Sequence, residues 1–174
     1  MKIFIFLLVS SLLFVSCAAM VVVDYDKQTD FTKYKTYQFY RKLDSGLNEL
    51  DNKRIIAAVD SLMAEKGWQR TDYNQFYIDF FADAQVISSR NTIGIGLGTG
   101  GDGITIGGGF GIPIGGKQLN QKITIEIFEE RQGQPLVWQA TFEDDIREVA
   151  ASEIKEKHLK EMVAEILKNF PPQK

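Results

Sequence analysis

Two periodicities take turns along this chain, and their order predicts its elements. Val21-Val22-Val23-Asp24-Tyr25-Asp26 is β-branched and then turns polar, which suits an opening strand. Between Tyr34 and Tyr40, Tyr37 and Phe39 alternate with Thr36 and Gln38, as in a half-buried strand. From Glu49 the period lengthens: Ile55, Ile56, Val59, Leu62 and Met63 share one stripe of an α-helix. Asn48 or Asp51 can cap its start, and Gly67 followed by apolar Trp68 predicts a Schellman end. Phe76 to Ile87 reads as a long strand. It sets Phe76, Ile78, Phe80, Ala82, Ala84 and Val86 against a mixed, partly covered face of Tyr77, Asp79, Phe81 and Asp83.

Residues 93–116 hold 12 of the 15 glycines. Ile95 and Leu97 alternate with glycine, residues 99–103 turn, and Ile104, Ile106 and Phe110 return, which predicts a hairpin with one apolar face and one of nearly bare backbone. Gln121 to Glu130 alternates strictly, Ile123, Ile125 and Ile127 inward. Arg131 to Pro135 turns, and Leu136 to Phe142 returns with Trp138, Ala140 and Phe142 on one face. A last helix carries Leu159, Met162, Val163, Ile166, Leu167 and Phe170 on one stripe. Its other face bears Glu153/Lys157, Glu156/Lys160 and Glu165/Lys168 pairs, and Pro171-Pro172 stops it. Two helices with one apolar stripe each, and five or six strands, stack most simply as a two-layer α+β domain. Its sheet is mainly antiparallel and carries both helices on one face.

The first residues follow neither period. Lys2 gives a positive start, Ile3 to Val15 is almost unbroken apolar sequence, and Val15-Ser16 leads to Cys17. This is the pattern of a secretory signal over residues 1–16, too short for a membrane span, which needs about 20 residues. Val15-Ser16-Cys17 resembles the bacterial lipobox, with Phe14 where leucine is usual. In that chemistry a diacylglycerol is placed on the Cys17 sulfur, the chain is cut before it, and the new N-terminus is acylated. At about 0.8 kcal/mol per buried methylene, the acyl chains amount to on the order of 20 kcal/mol. The plainer alternative is an ordinary signal cut near Ala18. Cys17 is the single cysteine, so no intrachain disulfide can form. Ala18, Ala19 and Met20 carry no acid, which by resemblance to lipoprotein sorting rules favours the outer membrane, facing the periplasm. Residues 17–174 then form one domain with a glycine-rich insertion at 92–116.

Charge narrows the partners. The formal net charge is −3, and loss of Lys2 with the signal makes it more negative, which favours neither nucleic acid nor anionic headgroups. Gly96, Gly98 and Gly101 satisfy a dinucleotide fingerprint, but no helix follows to receive a pyrophosphate. Gly111 to Lys117 matches most of a P-loop, yet Gln118 stands where magnesium needs Ser or Thr. Gly100-Gly101-Asp102-Gly103 resembles one calcium-binding repeat, with Thr105 in place of the ligand Asp. No nucleotide, metal or other cofactor is expected.

His158 is the single histidine, set among Glu156, Lys157 and Lys160, and is expected to be a solvated helix residue. Neither a Ser/His/Asp nor a Cys/His set can then be assembled. Paired carboxylates, Asp79 with Asp83 or the Glu143-Asp144-Asp145 run, could serve a glycosidase-like hydrolysis, but a solvated acidic strand end is the preferred reading. Trp68 and Trp138 are expected in the core; an aromatic at a sheet edge could instead hold a glycan or peptide. The apolar face of the glycine-rich hairpin, Ile95, Leu97, Ile104, Ile106 and Phe110, is a candidate contact for a membrane or an envelope protein.

Val23-Asp24-Tyr25-Asp26, Asp30-Phe31, Tyr34-Lys35-Thr36-Tyr37, Ala64-Glu65-Lys66-Gly67-Trp68, Ile78-Asp79-Phe80, Leu136-Val137-Trp138-Gln139-Ala140 and Phe170-Pro171-Pro172 follow one another along nearly the whole mature chain. In these residues and their order the chain resembles the family of bacterial envelope lipoproteins carrying domain of unknown function 4136. Asn74-Gln75 departs from the family's usual Pro-Asp. The resemblance implies a fold and a location and brings no activity. The expected function is therefore a non-catalytic lipoprotein anchored at the outer membrane through Cys17, a binding or accessory module for an envelope protein. A carboxylate-dependent glycan hydrolase and a carrier of a hydrophobic ligand between sheet and helices are the alternatives.

Overall fold

The computed structural model describes residues 20–41, 44–87, 92–93, 112–113 and 117–172. In chain order the elements are β1 (Val22–Tyr25), a 3₁₀ turn (Phe31–Lys33), β2 (Thr36–Phe39), α1 (Glu49–Glu65), β3 (Gln69–Arg70), β4 (Phe76–Ile87), β5 (Thr92–Ile93), β6 (Ile112–Pro113), β7 (Gln118–Glu129), β8 (Leu136–Arg147) and α2 (Ser152–Leu167). The six-stranded sheet has the order β1-β8-β7-β4-β2-β3. It is antiparallel from β1 through β4, while β4 to β2 and β2 to β3 are parallel. The parallel part follows from connectivity: the chain leaves β2, crosses through α1, and returns to the same end of the sheet.

Local chemistry explains the helix ends. The Asn48 side chain accepts the Asp51 N–H at 3.0 Å. At the other end Gly67 adopts φ +79°, Gly67 N–H donates to the Ala64 carbonyl and Trp68 N–H to that of Met63, both at 2.9 Å. This is the double bond of a Schellman motif, and it turns Trp68 inward to stack on Phe76, centroids 5.6 Å apart. On α2, Lys168 pairs with Glu165 at 3.2 Å, as its spacing predicts, whereas Lys157 pairs with Glu161 at 3.7 Å rather than with Glu153.

The core lies between the helices and one sheet face. Ile55, Val59 and Met63 of α1 and Leu159, Met162, Val163 and Ile166 of α2 meet Phe76, Ile78, Phe80, Ile123, Ile125, Ile127, Trp138, Ala140 and Phe142. All are buried, and each such side chain contributes about 1.5–3 kcal/mol by leaving water. Phe170, beyond α2, closes one end against Phe31 and Trp138, with centroids 5.8 and 5.0 Å away.

One expectation changes, and two features come from the structure alone. The return strand does not stop at Phe142: β7 begins at Gln118 and supplies ladder partners as far as Arg147, so Glu143, Asp144 and Asp145 lie inside β8. β3, two residues long, carried no periodicity to announce it. The glycine-rich ends Thr92–Ile93 and Ile112–Pro113 pair antiparallel as a separate two-stranded sheet and not as part of the main one. Ile95, Leu97, Ile104, Ile106, Phe110 and Cys17 lie outside the described residues.

Candidate functional site

Strand alternation sends every second side chain away from the helices. Tyr77, Asp79, Phe81 and Asp83 of β4, Lys122, Thr124, Glu126 and Phe128 of β7, and Gln139, Thr141, Glu143 and Asp145 of β8 form this second face. No described helix covers it.

One end of the face is aromatic. The Tyr40 ring, just past β2, stacks on Tyr77 with centroids 4.9 Å apart and meets Phe128 edge-on at 5.5 Å. Its hydroxyl donates to Gln134 Oε1 at 3.0 Å, and burial, then the Asp79 charge, holds that hydroxyl's pKa above the usual tyrosine value. Beside it a groove of about 840 Å³ is lined by Gln38, Tyr40, Arg70, Asp72, Asn74 and Tyr77. Its polar groups are ordered by one another: Arg70 Nε donates to Gln38 Oε1 at 2.8 Å, and Gln38 Nε2 donates to Asp72 Oδ1 at 3.2 Å. The guanidinium also lies over Phe39, 4.9 Å from its centroid.

Next along the face, Asp79 stands directly opposite Glu126. Burial pushes both carboxyl pKa values up, Asp44 adds to the effect at Asp79, and Asp79 adds to it at Glu126. A hydrogen bond from Phe80 N–H to Asp79 Oδ1, 2.8 Å, offsets part of the shift. Sequence spacing missed this pair because register, not spacing, makes it. The carboxylates that spacing suggested do not converge. Asp83 lies four residues beyond Asp79 on one strand, about 13 Å away at about 3.3 Å per residue. It opposes Lys122, whose Nζ is 3.6 Å from Glu143 on the far side. Glu143 and Asp144, adjacent in one strand, point to opposite faces.

Asp144 points towards α2, where the structure overturns one expectation. His158 is buried, with Nδ1 3.5 Å from Asp144 Oδ2 and Nε2 without a protein hydrogen-bond partner. Burial lowers its pKa, and Asp144 restores part of the loss. Its place was legible: His158, Met162 and Ile166 are four residues apart, so the histidine adds one turn to the apolar stripe. Its charged neighbours in sequence lie on other sides of the helix. Trp68 and Trp138 are fully buried in the core, as expected, whereas Tyr40 and Tyr77 are half-buried on the second face. Among the described residues no group of His, Cys, Asp and Glu side chains is arranged to hold a metal ion.

These features define a class: a small α+β module, helices on one side, an aromatic and acidic sheet face on the other. The particular family follows from the sequence. The model of the domain of unknown function DUF4136 matches residues 21–172, and the chain belongs to that family. No curated protein matches it. Among solved structures it is similar to a DUF4136 family protein from Bacteroides thetaiotaomicron, at 18% identity and TM-score 0.52, over 90% of this chain and 97% of that one. A PDZ domain protein from Parabacteroides distasonis aligns at 14% identity and TM-score 0.54 over 90% of this chain, which spans only 36% of that protein. The PelC dodecamer of Paraburkholderia phytofirmans aligns at 10% identity and TM-score 0.50, over 89% of this chain and 100% of PelC. At these identities the likeness is one of fold.

Proposed function

We propose that this protein is a non-catalytic envelope lipoprotein, held at the outer membrane through acylated Cys17 and facing the periplasm, which binds an envelope protein through its open sheet face. The observation that carries the binding role is the half-exposed aromatic set Tyr40, Tyr77 and Phe128, on a face that no described helix covers. Stacked tyrosines present large, rigid contact area at low entropic cost, and such residues dominate protein interfaces. The leader pattern ending at Cys17 supports the anchor. The apolar stretch containing Ile95, Leu97, Ile104, Ile106 and Phe110 is a second contact of the same assembly. A hydrolase reading draws less support: Asp79 and Asp83 are about 13 Å apart along one strand, beyond the about 5–9.5 Å that paired catalytic carboxylates need, and Glu143 and Asp144 point to opposite faces.

Photo-crosslinking in cells from a reactive side chain at position 77 tests the binding role. A discrete envelope protein captured at Tyr77, and lost when Tyr40→Ala is added, is the expected result; equal capture from Lys155 on α2 would overturn it. Palmitate labelling that disappears in Cys17→Ser tests the anchor. An envelope-glycan hydrolysing activity lost in Asp79→Ala, Asp83→Ala, Glu143→Ala or Asp144→Ala, with stability kept, would replace the proposal with the enzyme.

A further inference from the structure

We infer that the β1 edge of the sheet is a membrane seat, lying against the zwitterionic headgroup layer of the bilayer that holds the anchor. The inference rests on the Cys17 anchor proposed above. Among the described residues β1 is an outermost strand that pairs with β8 alone, and no described strand takes the other side of its backbone. Its apolar side chains are open: Val22 is 62% exposed, Val23 37% and Tyr25 36%, with Met20 just before the strand at 81%, and the exposed Asp24 carboxylate stands among them. Val23 and Tyr25 share a groove with Pro171 and Pro172 of the chain's other end, which widens the apolar strip across the sheet edge.

Chain length decides what can cover this strip. At no more than about 3.6 Å per residue, Met20 lies within about 11 Å of Cys17 and Val22 within about 18 Å, whatever path the intervening residues take. The headgroup layer is itself about 5–8 Å deep on each side of the hydrocarbon. A lipid-held Cys17 therefore brings β1, before any other strand, to the membrane surface. The charges around the strip select the lipid. Glu143, Asp144 and Asp145 stand beside Met20 and Val22, Asp24 lies within β1, and Lys66, Lys168 and Asp30 stand beside Tyr25. Carboxylates along the strip, with ammonium groups added at one end, match a headgroup bearing both signs better than an anionic surface. The tyrosine, apolar in body and polar at its tip, suits that boundary. Seated in this way, the exposed edge is shielded from pairing with other strands.

The test uses residues 17–174, which retain every described residue. The single thiol of Cys17 is coupled to a maleimide lipid in phosphatidylethanolamine/phosphatidylcholine vesicles with brominated acyl chains. Trp68 and Trp138 are buried and supply a constant background. Tyr25→Trp on the seat is expected to lose most of its added emission. Phe81→Trp, on the open face three strands from the edge, is expected to keep it, and Val22→Glu in the Tyr25→Trp background to restore it. Equal quenching at positions 25 and 81 overturns the seat. So does an unquenched Tyr25→Trp, whether β1 stays in water or a crosslinked dimer shows that a second copy has paired with it. Chemical coupling makes the outcome independent of natural acylation, so absent palmitate in cells would refute the anchor separately.

Discussion

His158 and Asp144 meet across the α2–β8 contact at 3.5 Å, and the far nitrogen of the same imidazole ends inside the protein without a protein partner. The first contact favours the charged ring, but burial, the larger effect, favours the neutral one. In the unfolded chain the ring takes its proton near pH 6.5; in the folded chain it does so only at lower pH. Above pH 6.5 the ring is neutral in both states. As pH falls through 6.5 towards the folded value, the unfolded chain gains a proton that the folded one resists, and stability is lost. His158→Phe removes this contribution and the unpaired nitrogen together. Urea melts are expected to show it about 1 kcal/mol more stable than the native chain at pH 7, with the difference widening towards pH 5.

The carboxylates of Asp79 and Glu126 act in the opposite sense. Their folded pKa values are raised from 3.8 and 4.5, so the folded chain holds these protons longer, and stability falls as pH rises through that range and above it. Asp79→Asn keeps an oxygen to accept the Phe80 N–H and removes one of two opposed charges. It is expected to stabilise the protein at pH 7 by up to about 1 kcal/mol and to return the Glu126 pKa towards 4.5, followed by carboxyl carbon chemical shifts during titration.

Two turn glycines separate conformational cost from collision. Gly46 and Gly133 both have positive φ, +72° and +86°, so alanine is strained at each by about 1–2 kcal/mol. At Gly133 an added Cβ meets nothing within 4 Å, whereas at Gly46 it would lie 2.8 Å from the Ala82 carbonyl oxygen. That contact is backbone against backbone, held in place by the bond from Ala82 N–H to the Ser45 carbonyl at 2.8 Å. Thermal melts are expected to show Gly46→Ala lowering the transition clearly more than Gly133→Ala.

Phe170 shows how far the core extends beyond α2. Its ring packs against Phe31, Trp68 and Trp138, joining the turn after β1, the end of α1 and the start of β8. Phe170→Ala is expected to cost about 3–5 kcal/mol in denaturant melts, a core value although the residue lies beyond the last helix. A loss below 1 kcal/mol would show that this end of the core is loosely held.

Period and capping chemistry determine the helices and the long strands of this protein, though neither the short β3 nor the full length of β8. The α1 stripe with Asn48 and Gly67, the alternation of Phe76 to Ile87, and the turn at Arg131 to Pro135 each depend on residues near one another in sequence, so local rules sufficed. The leader and Cys17 are likewise a matter of order along the chain, and the proposed address rests on them alone. Tertiary structure decided what depends on register and on which elements become neighbours. Asp79 meets Glu126 because β4 and β7 pair residue by residue over twelve positions, and Tyr40 reaches Tyr77 because a crossover through α1 makes β2 and β4 parallel neighbours. Asp144 leaves Glu143 and turns to His158 because β8 continues past Phe142, and a strand sends adjacent side chains to opposite faces. Spacing in one dimension does not encode such pairings, since they arise only when segments far apart in sequence are packed against a shared core.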